Sequence, residues 1–125
     1  METPEDLRYT KDHEWIRVEG QLVRVGITDY AQDALGDIVY VQLPQVGRRI
    51  ALNDGISEIE STKSVNDVYA PVSGIVAEVN PLLTGRPELL NTDPYGDGWI
   101  CVVSEAVLDE SALMTAGEYR ALVEG

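Results

Sequence analysis

Apolar and polar residues alternate along most of this chain in short segments, and a turn signal closes each segment. HEWIRVEGQLVRVGIT, residues 13–28, is typical of a β-hairpin whose two strands meet at a turn containing Gly20. ISEIE, VNDVYAPVSG and IVAEVN repeat the two-residue period within 56–80, and GWICVV adds a strand at 98–103. The pattern predicts a mainly β fold made of short strands.

Helices are expected at two places. TDYAQDALG predicts a short helix that Thr28 or Asp29 caps and Gly36 ends. From about residue 105 the period changes, and Thr115 and Glu118 stand at the spacing of a capping box that opens a C-terminal helix. The apolar side of that helix is predicted to consist of Tyr119, Leu122 and Val123.

Several apolar and aromatic residues are predicted to pack in the core. DIVYVQLP, residues 37–44, has apolar side chains on both faces, so we expect a strand that is buried on both sides. The single cysteine, Cys101, lies in the apolar run WICVV and is interpreted as a buried packing residue. The aromatic residues expected in the core or at its edge are Trp15, Trp99, Tyr40 and Tyr69.

The length of 125 residues suits one domain with its own core and is too short for two. We predict a single domain over 1–125, with a β core at about 9–104 and a helical region at about 105–124. No apolar run approaches the roughly 18 residues that cross a membrane. The polar, acidic start lacks the basic and apolar regions of a secretory signal, so a cytoplasmic location is expected.

Acidic residues outnumber basic ones by 22 to 9, which gives a formal net charge of −13. This balance argues against nucleic acid and against an anionic membrane surface as partners, because both require basic patches. The excess of acids fits solubility alone, and it equally fits steering toward partners with basic docking surfaces. Short edge strands and strong acidity together favour a monomer.

The chain lacks the sequence motifs of common catalytic and metal sites. It contains one histidine, His13, so neither a zinc site nor a metal site of another kind is predicted. No GxSxG elbow and no glycine-rich phosphate loop is present. We therefore predict that the protein is not an enzyme by itself.

Lys63 lies in STKS, between two predicted strands, as the third of four residues of a type I turn. A solvated lysine on a turn is the ordinary interpretation. Three features favour a modified lysine instead: well-specified flanking strands, small neighbours and nearby acids. The small neighbours are Ser61, Thr62 and Ser64, and the acids are Glu58, Glu60 and Asp67. These features permit a modification without identifying it.

ESTKS at 60–64, followed by DVYAPVSG at 67–74, resembles the lipoyl-attachment motif of glycine cleavage system H proteins. The commonest family form has Val in place of Thr62 and Ala in place of Ser64. The likeness extends from about Leu7 to Leu122. Its other matching stretches are YTKDHEW, GITDYAQDALGDIVYVQLPQVG, ELLNTDPYGDGW and EYRAL.

The resemblance implies a flattened β sandwich, the barrel-sandwich hybrid of the lipoyl/biotinyl hammerhead type, with short helices after the first hairpin and at the C-terminus. It implies that Lys63 is amide-linked to lipoic acid as N6-lipoyllysine, which a lipoate ligase or transferase supplies. Such a carrier takes the aminomethyl group of glycine from glycine decarboxylase (P protein) to aminomethyltransferase (T protein). Dihydrolipoamide dehydrogenase (L protein) receives the reducing equivalents.

The resemblance also implies a surface cleft that shelters the loaded arm. Glu14 matches the acid that would bind the protonated amine there, and Asp67 is a second candidate. Glu60 and Ser61, beside the lysine, are candidates for recognition by partners. From the sequence alone, Glu14 is also compatible with a solvent-facing strand carboxylate. Some relatives have His in place of Ala34, so this chain lacks one cleft contact.

Three other interpretations stay open at this point. A biotin carrier domain would have methionines beside its lysine, whereas Met1 and Met114 lie far from Lys63. A lipoyl domain of a 2-oxo acid dehydrogenase complex would lack HEW and DPYGDGW. The third is a β-rich scaffold protein with an unmodified lysine. A lipoylated chain is also a candidate to relay lipoyl groups to other proteins.

Overall fold

The computed structural model describes all 125 residues, as nine strands, four short helices and one 3-10 turn. The strands are β1 (Arg8–Tyr9), β2 (Glu14–Glu19), β3 (Leu22–Ile27), β4 (Ile38–Gln42), β5 (Arg49–Ile50), β6 (Gly55–Ser61), β7 (Val65–Tyr69), β8 (Ser73–Val79) and β9 (Cys101–Val107). The helices are α1 (Asp29–Leu35), α2 (Leu82–Gly85), α3 (Leu89–Thr92) and α4 (Ala116–Glu124), and the 3-10 turn spans Glu110–Ala112. None of the helices has the length and apolar character needed to span a membrane.

The strands form two antiparallel sheets that confirm the predicted mainly β architecture. One sheet has six strands in the order β1-β2-β3-β9-β8-β5, and the other has three in the order β4-β6-β7. A cluster of 20 buried apolar residues, with members on both sheets and on α2 and α3, forms the main core. Cys101 is one of its fully buried members, as predicted, and burial raises the pKa of its thiol to about 12.

The predicted first hairpin is present as β2 and β3, with Gly20 in the left-handed region at its turn. Within it, Trp15 pairs with Gly26. The Trp15 indole occupies the space beside Gly26, where a Cβ would come within 2.6 Å of the ring, and its Nε1 donates a hydrogen bond to Pro94 O at 3.0 Å. Trp15 is fully buried and Trp99 partly buried, which confirms the expected packing of both.

Both predicted helix starts are confirmed. The Thr28 side chain accepts a hydrogen bond from Ala31 N, and Gly36 ends α1 with a φ of 80°. Thr115 and Glu118 form the reciprocal capping box that opens α4.

The apolar face predicted for α4 is partly wrong. Tyr119 and Ala116 are buried and Val123 packs against them, whereas Leu122 is 49% exposed. Residues on a helix advance by about 100° each, so Leu122 lies to one side of the stripe formed by the other three. The helix therefore contacts the fold through a narrow stripe. Strand β9 also continues to Val107, beyond the expected change of period at about 105.

The prediction that the DIVYVQLP strand is buried on both sides is wrong. Ile38 and Val41 are buried, but a bulge between Ile38 and Tyr40 turns Val39 and Tyr40 outward, and both are more than half exposed. β4 is an edge strand of the three-stranded sheet, and the exposure of these two side chains shows that its outward side is not packed. Tyr69, on the opposite edge strand, is also exposed, so the packing role expected for Tyr40 and Tyr69 is wrong.

The close fit between Trp15 and Gly26 generates a prediction. Gly26→Ala should lower the free energy of unfolding by about 2 kcal/mol, because the new methyl group overpacks a rigid buried ring. Gly55→Ala is the matched control, since a Cβ at that strand position meets no atom within 4 Å. Urea denaturation followed by tryptophan fluorescence measures both variants, and equal stabilities would contradict the proposed fit.

Candidate functional site

Lys63 lies at the tip of the β6–β7 hairpin, as the third of the four residues 61–64, as predicted. Ser61 N donates a hydrogen bond to Ser64 O at 2.8 Å and closes the hairpin. The Ser61 hydroxyl accepts from Lys63 N at 3.3 Å and from Ser64 N at 3.1 Å. A side-chain oxygen thus satisfies the amides of the turn, and the tip is held in one shape.

The hairpin tip rests against the C-terminal end of α1. Thr62 N donates to Asp37 O at 3.0 Å, and Lys63 Cε lies 3.3 Å from the point that a Cβ on Gly36 would occupy. Asn91 secures the same corner, because its side chain donates to Gly36 O and accepts from Ile38 N. The segment after α1, which Asn91 holds in place, therefore fixes the position of the hairpin tip that presents Lys63.

The Lys63 side chain is exposed, and its ammonium group makes neither a hydrogen bond nor an ion pair. The acids expected around it do not neutralise it. Glu60 pairs with Val65 next to the tip, and Glu58 pairs with Asp67 one step further along the hairpin. The amine is thus available to another molecule, while Ser61 has a structural role in the turn.

A cleft of about 350 Å³ runs beside α1, between that helix and the β6–β7 hairpin. Its apolar lining consists of Ile27, Ala31, Ala34, Leu35, Ile59 and Val68, and its polar lining of Asp12, His13, Glu14, Tyr30, Asn66 and Asp67. Lys63 lies near the C-terminal end of α1, and Glu14 pairs with Ile27 near its N-terminal end. With seven residues, α1 is about 10 Å long, and Lys63 and Glu14 lie near its opposite ends.

Glu14 is buried, with 2% of its surface exposed, so the solvent-facing alternative is wrong. Thr10 Oγ1 donates to Glu14 Oε1 at 2.7 Å, and Tyr69 N donates to Oε2 at 3.2 Å. Burial raises the pKa of Glu14 to about 7, although both hydrogen bonds oppose the shift. No cation lies beside the carboxylate. The cleft therefore contains an acid without a counter-charge, which favours binding of a cationic group.

The structure brings some of the predicted residues together and leaves others apart. Asp67 lines the cleft with Glu14, and Ala34 contributes a methyl group to the same lining. Glu60 and Ser61 belong to the lysine hairpin and do not line the cleft. The place of His13 in the cleft was not predicted from the sequence. Its position immediately before Glu14 was the available signal.

Comparisons with known proteins agree with one another. The family model described as Glycine cleavage H-protein matches residues 7–125. The chain is 52% identical to a glycine cleavage system H protein of Geobacillus kaustophilus, over 98% of each chain. It is 55% identical to that of Mycolicibacterium smegmatis, over 98% of this chain and 97% of the relative.

A solved structure is similar over nearly the whole length. The crystal structure of a glycine cleavage system H protein from Mycobacterium marinum superposes with a TM-score of 0.88, at 45% identity. The match covers 98% of this chain and 99% of that one. It confirms the predicted fold class, a barrel-sandwich hybrid with short helices.

The raised pKa of Glu14 makes the stability of the fold depend on pH. The pKa of this carboxyl group is 4.5 in the unfolded chain and about 7 in the folded protein, so the folded state binds its proton more tightly. The resulting contribution to stability is complete below about pH 4.5 and is lost as the pH rises through about 7. Since one pKa unit corresponds to about 1.4 kcal/mol, the loss between about pH 4.5 and pH 8 should be about 3 kcal/mol.

Glu14→Gln tests this expectation, because an amide imitates the protonated acid at every pH. Between about pH 4.5 and pH 8, the free energy of unfolding of the variant should fall less than that of the wild type, as measured by urea denaturation. Glu88→Gln, at an exposed position without a side-chain hydrogen bond, should follow the wild type. Parallel profiles for wild type and Glu14→Gln would show that Glu14 does not titrate as described.

Proposed function

The chain belongs to the glycine cleavage H-protein family, and on that premise we propose that Lys63 is the lipoyl-attachment site of a carrier protein of the glycine cleavage system. The observation that supports this assignment is the position of Lys63, whose amine has no partner at the tip of a closed hairpin. The only other lysine, Lys11, lies outside the hairpin. A rigid tip favours recognition by an acylating enzyme, because less conformational entropy is lost on binding.

The residues of the cleft fit an acylated lysine with a cationic cargo. The side chains of Ile27, Leu35 and Ile59 supply apolar surface for a hydrocarbon chain, and the buried carboxylate of Glu14 supplies a partner for a protonated amine. Lipoic acid on Lys63 Nζ would supply a dithiolane able to take up the aminomethyl group and two reducing equivalents. An amide at Nζ would also remove the charge of the ammonium group.

Glu14 is proposed to bind the amine of the cargo. A cation beside a buried carboxylate stabilises its ionised form, so cargo binding should return the pKa of Glu14 toward its ordinary value. Burial excludes water from the same place and protects a labile aminomethyl group from hydrolysis. Asp67, an exposed residue of the cleft lining, is the second acid available to the amine.

The chemistry of glycine cleavage is assigned to the partners. We infer that glycine decarboxylase, aminomethyltransferase and dihydrolipoamide dehydrogenase each dock near the Lys63 tip, and that a lipoate ligase or transferase acylates it. Glu60, next to the tip, is proposed as a docking contact. The tether raises the effective concentration of the cargo at each partner, so the carrier needs no catalytic group of its own. A single lipoyl-carrier domain, a monomeric state and a cytoplasmic location stay predictions.

Intact-mass spectrometry tests the attachment site. Incubated with lipoate, ATP and a lipoate ligase, the wild type should gain the mass of one lipoyl group, and Lys63→Arg should gain none. Lys11→Arg is the matched control, because it removes the other lysine, which is also exposed, and should be modified like the wild type. Lys63→Arg should unfold at the wild-type temperature, since an exposed turn position contributes little packing energy.

Glycine cleavage in a reconstituted assay gives the functional result. Lys63→Arg should have no activity as a carrier, whereas Lys11→Arg should support the wild-type rate. Glycine cleavage by Lys63→Arg at that rate would refute the assignment.

The role of Glu14 has a separate test. Glu14→Gln, loaded with the aminomethyl group, should release it about tenfold faster than the wild type, because a charge-assisted hydrogen bond is lost. Ammonia release from the isolated loaded carrier measures the rate. Glu88→Gln should match the wild type, and an equal rate for Glu14→Gln would remove Glu14 from the cargo site.

A further inference from the structure

Three side chains distant in sequence form a hydrogen-bonded chain at the Glu14 end of the cleft. Tyr119 on α4 places its hydroxyl 2.8 Å from His13 Nδ1 and 2.8 Å from Thr28 Oγ1. Thr28 is fully buried, and its hydroxyl already accepts a hydrogen bond from Ala31 N as the cap of α1. His13 lines the cleft, and its Nε2 makes no hydrogen bond within the protein.

The direction of this chain follows from the need to satisfy buried donors. The hydroxyl hydrogen of Thr28 has one acceptor within reach, the Tyr119 oxygen, so Thr28 donates to Tyr119. The Tyr119 hydroxyl must then donate to its other partner, His13 Nδ1. With Nδ1 accepting, the proton of the neutral imidazole lies on Nε2. The opposite direction would leave the buried Thr28 hydrogen without an acceptor, which is costly.

We propose that the Thr28–Tyr119 hydroxyl pair is a positioning device that keeps His13 neutral with its proton on Nε2, so that the cleft presents a hydrogen-bond donor and no cation. Protonation of His13 would place a hydrogen on Nδ1. Tyr119 would then have to turn its own hydrogen toward Thr28, and the Thr28 hydrogen would lose its acceptor. The geometry therefore opposes a charged imidazole.

Other features of the region agree with a fixed imidazole. His13 has a left-handed backbone with a φ of 68°, which is unfavourable for a residue with a side chain. His13 N donates to Thr10 O, and His13 O accepts from Thr28 N at 3.0 Å. Tyr119 stacks on Tyr9 with ring centroids 4.7 Å apart. Each end of the hydrogen-bonded chain is thus held by packing or by the backbone.

The ionisable groups around His13 come from four elements. Asp12 and Glu14 flank it, and Asp67 on β7 lines the same cleft. The Tyr30 ring of α1 lies with its centroid 4.7 Å from the imidazole, and Tyr119 comes from α4. Burial lowers the pKa of His13, and the negative charge of Asp12 opposes that shift without reversing it. The effect of burial on the pKa of His13 therefore exceeds the opposing effect of the nearby acid Asp12.

The consequence for the cleft rests on the proposed function. A cationic imidazole in the cleft that Glu14 also lines would repel a protonated amine and compete with it for the carboxylate. A neutral imidazole leaves the carboxylate available to the cargo. The C-terminal helix, which does not line the cleft, thereby acts on the cargo site through one hydroxyl group.

The single histidine makes the test unambiguous, because every imidazole signal belongs to His13. ¹⁵N NMR of the unmodified wild type should show the Nε2–H tautomer at neutral pH and a titration midpoint below about 6.5. Thr28→Ala removes the hydroxyl group that donates a hydrogen bond to the Tyr119 oxygen. The Nδ1–H tautomer should then become populated, and the midpoint should rise by about one pH unit.

Thr28→Ser retains both the hydroxyl and the helix cap, so it should restore the wild-type tautomer and midpoint. Tyr30→Phe removes a hydroxyl that makes no hydrogen bond to the imidazole, and it should leave both unchanged. The proposal is overturned if the wild type shows the Nδ1–H tautomer, or if Thr28→Ala keeps the wild-type midpoint. These measurements use protein without a lipoyl group, so they do not depend on the lipoylation of Lys63. An NMR result against the proposal would leave the assignment of Lys63 unaffected. Likewise, a failure to lipoylate Lys63 would leave the NMR result unaffected.

Discussion

The contact between the β6–β7 tip and the end of α1 determines the geometry of the site. One backbone hydrogen bond, from Thr62 N to Asp37 O, joins them, and Gly36 leaves room for the lysine side chain to pass. Because the helix is tied to the hairpin at this corner, the cleft between them has a defined width. The same contact places Lys63 beside the C-terminal end of α1, whereas Glu14 lines the cleft near the N-terminal end of that helix.

The cleft combines apolar walls with an unneutralised acid, and this combination is unfavourable for the isolated fold. A carboxyl group buried among apolar residues resists ionisation, which is why burial raises the pKa of Glu14 to about 7. Hydrogen bonds from Thr10 and from the Tyr69 amide hold the group in position without supplying a charge. A cation that enters such a site stabilises the ionised acid. Without a cation, the protein is less stable than it would be with an apolar residue in place of Glu14.

The C-terminal helix connects the smaller core to the cleft. Tyr119 packs among Leu7, Tyr9 and Trp15 and extends its hydroxyl to His13. The ring stabilises the fold through packing, whereas the hydroxyl forms hydrogen bonds with His13 and Thr28. One side chain thus packs in the smaller core and also contacts a residue that lines the cleft.

Local features were predictable from the sequence because each depends on residues a few positions apart. The hairpins, the capping residues Thr28 and Thr115, and the turn that presents Lys63 all follow from strand periods and turn chemistry. The exposure of Tyr40 was mispredicted, because a bulge and an edge position in a sheet leave no mark in a two-residue period.

By itself, the sequence determined the strand order along the chain, the lysine at the tip and the family to which the protein belongs. Only the tertiary structure decided which acid lies in the cleft and which hydroxyl group meets the imidazole. Glu14 and the Tyr69 amide are 55 residues apart, and His13 and Tyr119 are 106 apart. Burial and hydrogen bonding between such distant groups arise from packing, and packing sets pKa values that no local pattern encodes.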